Sequence, residues 1–302
     1  MINMKNISGV INVYKEKGFT SHDVVNIIKK KLGKIKTGHT GTLDPDAMGV
    51  LPICVGKATK LSEYIASSIK EYKAIVTLGK TTTTQDSSGD IVEEKKVDCT
   101  QNDIKNIVST FKGEIMQTPP MYSAIKINGK KLYELAREGK EIERKQRKIN
   151  IYNIEVTKFI DKENFEITVL CSKGTYIRTL CDDIGKALGC GAHMSYLLRT
   201  RTGHFYINEA IKLEDIDKIL EDNDLNKVLI PMDRVLLDYK KIIVLSKANK
   251  FLYNGNKISF NFIKNKQNLI EDEKVIVYDE DNNLIGIYIV LIDCIKPLTM
   301  LL

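Results

Sequence analysis

Apolar residues recur along this chain with two different periods. Residues 10–14 form a β-rich run that stops at Lys15-Glu16-Lys17-Gly18. Thr20 and Ser21 then offer N-caps to a helix whose apolar positions Val24, Val25, Ile28 and Leu32 keep helical spacing, and Gly33 can close it. Residues 37–56 hold Gly38, Gly41, Gly49, Gly56, Pro45 and Pro52, too many breakers for one element. Leu61, Tyr64, Ile65 and Ile69 predict a helix, and residues 72–78 a strand running into a polar loop over 80–90. Thr100 caps an amphipathic helix with Ile104, Ile107, Val108 and Phe111 on one face, closed by Gly113. Consecutive prolines keep residues 117–120 extended. Residues 131–138 read as a short helix, 149–159 and 165–171 alternate like half-buried strands, and 177–188 return to helix before Gly189.

Composition shifts over residues 220–238, which are dense in Asp, Asn and Lys. Four strand-like runs follow, at 241–245, 257–262, 274–278 and 284–292, separated by turn signals such as Asn254-Gly255 and Asp281-Asn282-Asn283. The expected organisation is therefore a larger domain over residues 1–236 and a small all-β domain over 237–302. The larger one is α+β, with strands in antiparallel succession rather than regular βαβ alternation.

A chain of 302 residues suits two domains and can bury a core without staples. Its 43% hydrophobic and 28% charged residues exclude a disordered or fibrous polymer. A net charge of +7 permits a polyanionic partner without demanding one. The N-terminus lacks an apolar signal region, and the longest apolar run, 285–291, falls far short of the roughly 20 residues of a membrane span. No membrane association and a cytoplasmic location are expected. The six cysteines show no C-x-x-C pair, which fits reduced thiols. Cys181, Cys190 and His193 fall short of the four closely paired ligands of a structural zinc site, so no metal is expected.

The densest chemistry lies in Gly38-His39-Thr40-Gly41-Thr42-Leu43-Asp44-Pro45. Neither a phosphate-binding loop nor a dinucleotide fingerprint is present, which argues against a nucleotide cofactor. From spacing alone Asp44 belongs to an Asp-Pro turn. It is also a carboxylate already ionised at neutral pH, able to attack carbon without a general base. A second dense segment, Cys171 through Thr179, supplies Arg178, either a solvated arginine or a partner that keeps such a carboxylate charged and aimed. Residues 126–148 carry nine Lys or Arg against four Glu, which suits either a phosphate-tracking groove or a solvated face.

Taken together these motifs resemble the bacterial tRNA pseudouridine synthase B (TruB) family. The resemblance rests on the Gly38–Pro45 segment followed by Gly49-Val50-Leu51-Pro52, on Lys70-Glu71-Tyr72-Lys73-Ala74, and on Gln117-Thr118-Pro119-Pro120-Met121-Tyr122-Ser123-Ala124-Ile125-Lys126. Gly174-Thr175-Tyr176-Ile177-Arg178-Thr179, Gly189-Cys190-Gly191-Ala192-His193 and Tyr196-Leu197-Leu198-Arg199 follow in order. Two departures stand out: Glu16 where the family has proline, and Thr82-Thr83-Thr84-Gln85-Asp86 without the family's middle acid.

The resemblance implies a pseudouridine synthase fold with a PUA-like RNA-binding tail, and isomerisation of uridine 55 in the tRNA T-loop. Asp44 matches the catalytic aspartate and Arg178 its arginine partner. Tyr72 matches the tyrosine stacked on the target base, with Tyr176 and Leu197 lining the pocket. His39 matches the histidine that fills the space left by the flipped base. No cofactor, no metal and no protein partner are implied, and a monomer is expected.

Overall fold

The computed structural model describes residues 7–127, 129–222, 224–265 and 268–302. A long twisted sheet forms its frame, in the spatial order Leu229–Ile230, Gly9–Lys15, Met48–Val55, Ala192–Thr202, Lys70–Leu78, Asn164–Cys171, Arg147–Phe159, Gly113–Gln117. Neighbours are antiparallel except at one seam, where Ala192–Thr202 meets Met48–Val55 in parallel through Leu198 opposite Met48 and Arg199 opposite Gly49. That seam needs a glycine. Gly49 has a φ of 107°, and a Cβ there would sit 2.2 Å from the Arg199 carbonyl oxygen.

The three longest helices among the described residues pack on the sheet. Ser21–Lys31 begins with a capping box, in which the Thr20 hydroxyl accepts from the Asp23 amide and the Asp23 carboxylate accepts from the Thr20 amide. Its Val24, Val25 and Ile28 pack on Ile11, Val13, Leu51 and Ile53. Gln101–Thr110, capped the same way by Thr100 and Asp103, and Ile177–Ala187 pack on a second core around Ala74, Val76, Ile167, Val169 and Leu180.

The tail forms its own five-stranded sheet, Lys240–Ile243, Lys274–Tyr278, Leu284–Val290, Cys294–Met300 and Ile258–Ser259 in spatial order. Ile242, Val244, Val275, Ile285 and Ile295 belong to its core. Leu61 and Leu236 meet Ile276, Tyr278, Ile287 and Leu301 where the two sheets adjoin. Among the described residues no helix is long and apolar enough to cross a membrane.

Several expectations needed correction. The helix expected through Ile69 stops at Ala66, because Lys70–Leu78 is claimed by the central sheet. No element was expected over 192–202, and Leu197 lies there in the Ala192–Thr202 strand, opposite Ala74. Residues 257–262 give only the two-residue strand Ile258–Ser259 and then a tight turn of helix. Gly113–Gln117, Met48–Val55 and Cys294–Met300 are strands that periodicity did not announce. The first and last carry breakers or polar residues, and the middle one is buried on both faces, so none alternates cleanly.

Candidate active site

Asp44 stands in the turn between the strands Thr37–His39 and Met48–Val55. Two neighbours hold that turn from inside. The Ser21 hydroxyl accepts from the Leu43 amide at 2.8 Å, and the fully buried Lys15 donates to the carbonyls of Glu16, Phe19 and Pro45 at 2.7–3.1 Å. Burial lowers the Lys15 pKa to about 8, against the pull of Asp44 and Asp46. The residue after Asp44 is thus pinned by an ammonium group, and the carboxylate is carried on a rigid turn.

Arg178, in the first turn of Ile177–Ala187, meets Asp44 with two nitrogens: Nε lies 3.1 Å from Oδ2 and Nη2 3.5 Å from Oδ1. Nη1 lies 3.4 Å from Asp86 Oδ2 and donates to the Thr84 carbonyl at 3.2 Å, while Nη2 also donates to the Tyr122 carbonyl at 2.7 Å. Each of the three guanidinium nitrogens thus faces an oxygen partner, and 7% of the side chain is exposed. Such a fork fixes direction as well as charge.

The two carboxylates on Arg178 differ in what else they meet. Asp86 Oδ1 accepts from the Thr84 hydroxyl at 2.6 Å, the Ser88 amide at 3.0 Å and the Ser88 hydroxyl at 2.5 Å. The Asp44 carboxylate has no bond beyond Arg178 among the described residues, and 41% of the side chain opens outward. Enclosure pushes the Asp44 pKa up from the usual carboxylate value, and Arg178 pulls it back. Asp86 is tied down; the Asp44 carboxylate is aimed and left open.

Tyr72 and Leu197 are buried in one cluster with Leu43 and Ile177 beside this pair. Burial raises the Tyr72 pKa, opposed by the Arg199 guanidinium opposite it on the neighbouring strand. Tyr176 is half-buried at the head of the Arg178 helix, and burial pushes its phenol up as well. His39 is half-buried at the end of its strand, its Nδ1 accepting from the Gly41 amide at 3.3 Å, and burial lowers its pKa. It reaches neither Asp44 nor Arg178 by hydrogen bond or ion pair.

Four further residues belong to the constellation: Lys15, Asp86, Gln117 and Arg199. Asp86 and Arg199 stood inside quoted motifs without a role. Arg199 is 1% exposed, donating to the Val50 and Gly41 carbonyls at 2.7 and 3.1 Å. The usable signal was a charged residue embedded in an apolar strand, as in Tyr196-Leu197-Leu198-Arg199 and at Lys15 after residues 10–14. Cys181, Cys190 and His193 form no metal-binding group among the described residues, and His193 Nδ1 lies 3.0 Å from the Lys80 carbonyl. A separate hollow lined by Val97, Asp98, Ile104, Phe159 and Lys162 shares no residue with the constellation.

Residues 29–177 match the family model for the TruB family pseudouridylate synthase N-terminal domain, and residues 178–237 that for the tRNA pseudouridylate synthase B C-terminal domain. The chain is similar to tRNA pseudouridine synthase B of Alkaliphilus oremlandii, 52% identical over 75% of each chain. It is also 52% identical to that of Bacillus pumilus over 76% of each. Among solved structures it resembles a Cbf5-Nop10-Gar1 complex, with 29% identity, TM-score 0.77, and coverage of 97% of this chain and 85% of that one. An H/ACA RNP bound to a substrate RNA containing 2′-deoxyuridine matches with 27% identity, TM-score 0.75 and the same coverage.

Proposed function

The chain belongs to the TruB family of pseudouridylate synthases, isomerases that act on tRNA, and from that premise we propose that it converts uridine 55 of the tRNA T-loop to pseudouridine with Asp44 as nucleophile. The observation that carries the assignment is the asymmetry of the two carboxylates on Arg178. Only Asp44 keeps unshared lone pairs at an open mouth.

The reaction is an isomerisation. The bond from ribose C1′ to uracil N1 breaks, the base turns while held, C5 bonds to C1′, and the C5 proton leaves as N1 gains one. The Asp44 carboxylate attacks either C1′ or uracil C6, and both routes start from the ionised form. Arg178 orients the carboxylate and holds its charge. Tyr72 stacks on the uracil, letting the detached ring rotate, and its phenol oxygen serves the C5 proton. Tyr176 and Leu197 wall the pocket, and His39 enters the space that the flipped base leaves. Unstacking costs a few kcal/mol, which the aromatic contacts offset.

Residues 126–148 contact the tRNA backbone. Most of their Lys and Arg side chains are exposed, as phosphate contacts require. We assign residues 1–236 to catalysis and 237–302 to a PUA-like RNA-binding domain. The tail's separate sheet supports that division. The protein acts in the cytoplasm as a monomer, with tRNA as its partner and without a cofactor or metal.

The test is tritium release from an unmodified tRNA transcript labelled at uridine C5, with chelator present and Asp44→Asn alongside. Wild type is expected to release label from the T-loop uridine. Asp44→Asn is expected to lose at least about a thousandfold in rate while still binding tRNA. Binding without release by the wild type would sink the isomerase reading.

A further inference from the structure

Gln117 ends the edge strand Gly113–Gln117, where an exposed polar residue would be ordinary. It is instead 2% exposed. Its side-chain amide makes a closed pair of hydrogen bonds with the backbone of one residue: Nε2 donates to the Tyr176 carbonyl at 3.0 Å, and Oε1 accepts from the Tyr176 amide at 2.8 Å. Tyr176 is the N-cap residue of the Arg178 helix and makes no side-chain cap bond. A planar amide that both donates and accepts therefore holds the entrance of that helix as a strand neighbour would.

The same chain segment continues to Tyr122, whose carbonyl takes an Arg178 Nη2 proton at 2.7 Å. One stretch, residues 117–122, thus grips the backbone of Tyr176 at one end and the guanidinium of Arg178 at the other. The two gripped residues are separated by Ile177 alone, which is buried in the core. Displacement at Tyr176 passes directly to Arg178, and from there to the Asp44 carboxylate it aims.

We infer that Gln117 is a positioning residue for the isomerisation, holding the Tyr176 ring and the Arg178 guanidinium in register with Asp44. The inference rests on the assignment of Asp44, Tyr176 and Arg178 given under the proposed function. It predicts loss in kcat rather than in tRNA affinity, because the Gln117 side chain is buried against the Tyr176 backbone and is not itself placed to meet phosphate.

Two variants test it. Gln117→Met keeps the side chain's length and removes both bonds. It is expected to lower kcat about tenfold to a hundredfold and leave KM and the tRNA Kd within about twofold. Gln117→Glu keeps the shape but, when ionised, can accept from the Tyr176 amide and cannot donate to its carbonyl. Protonation restores the donor. The ratio of its kcat to that of wild type is therefore expected to climb as pH falls from 8 to 5.5. The charged and titratable groups around it are Tyr176 itself, Arg147, opposite Gln117 across the sheet, Arg178 on the helix, Tyr122 on the loop and Asp44 beyond Arg178. None of them is changed between the two proteins being compared.

Unchanged kcat in Gln117→Met would overturn the inference, as would a flat Gln117→Glu ratio with wild type active. Loss of folded protein in both variants would also overturn it, in favour of a purely structural role. Failure of the underlying assignment is read separately, from the wild type and Asp44→Asn.

Discussion

The two sheets of this protein solve the problem of burial in opposite ways. Among the described residues, nearly all the buried polar and charged side chains lie at or before Thr202, and Asp279 alone represents the tail. The larger unit encloses Lys15, Lys70, Arg178 and Arg199, each held by carbonyls or carboxylates. The small sheet encloses Ile242, Val275, Ile285 and Ile295 against one another. A buried charge is expensive unless every donor is met, and it fixes direction where an apolar contact cannot. The larger unit therefore carries stability at risk and aim gained, and the tail is an ordinary apolar core.

Breaking each kind of core should separate the two. Arg178→Met leaves Asp44 and Asp86 without their shared cation and the Thr84 and Tyr122 carbonyls without a donor. Turnover is expected to drop at least about a hundredfold, with stability lower by roughly 3–5 kcal/mol. Ile285→Ala in the tail is expected to cost a similar 2–5 kcal/mol by cavity formation, with kcat on saturating tRNA unchanged. Tritium release and denaturant unfolding on both variants decide the matter. Equal losses of kcat would mean that the distinction between the two cores is not functional.

The same contrast explains what sequence could and could not reveal. Helices Ser21–Lys31, Gln101–Thr110 and Ile177–Ala187 were legible because caps and 3.6-residue spacing are local. Asp44 and Arg178 were visible as segments dense in chemistry, and resemblance paired them. The Ala192–Thr202 strand was missed although it lies between Met48–Val55 and Lys70–Leu78. Buried on much of both faces, it does not alternate, and its Arg199 reads as a surface residue until the parallel seam encloses it. Asp86 was passed over for a related reason. Its partners Thr84, Ser88 and Arg178 converge only when loop and helix are brought together, and nothing in a Thr-rich stretch marks which acid will be held. Gln117 carries no charge, and although it heads one of the motifs behind the resemblance, nothing local marks it as a buried clamp.

Acidification should pull activity and stability apart in the larger unit. The proposed attack requires ionised Asp44, and its pKa is raised by enclosure. The acid limb of kcat/KM is expected above the pH near 4 at which an unperturbed aspartate would titrate. The stability effect has the opposite sign, because the folded state binds this proton more tightly than the unfolded chain. Asp44 therefore destabilises the fold as pH rises from the ordinary carboxylate pKa through the raised one, and relieves it on acidification over that window. A pH profile of tritium release set beside unfolding curves for wild type and Asp44→Asn checks both. An acid limb at or below pH 4, or one that survives unchanged in Arg178→Lys, would remove Asp44 from the titrating role.

The smallest effect is expected where the two units meet. Tyr64 lies at the edge of the Tyr239 ring with centroids 6.2 Å apart, under Lys274 at 5.5 Å, and its hydroxyl is 2.8 Å from the Thr299 hydroxyl. Tyr64→Phe keeps the ring and its packing and removes one hydrogen bond, leaving Thr299 close enough to the surface to take water instead. About 1 kcal/mol is at stake, or about 2 °C in melting temperature for a chain of this size. The kcat should not move, because the change touches none of the groups around Asp44. The tRNA Kd should rise by less than about threefold, reflecting a slightly looser placement of the tail. A fall in kcat instead would show that the apolar seam does transmit to the charged core, and that the two ways of building an interior are coupled rather than merely adjacent.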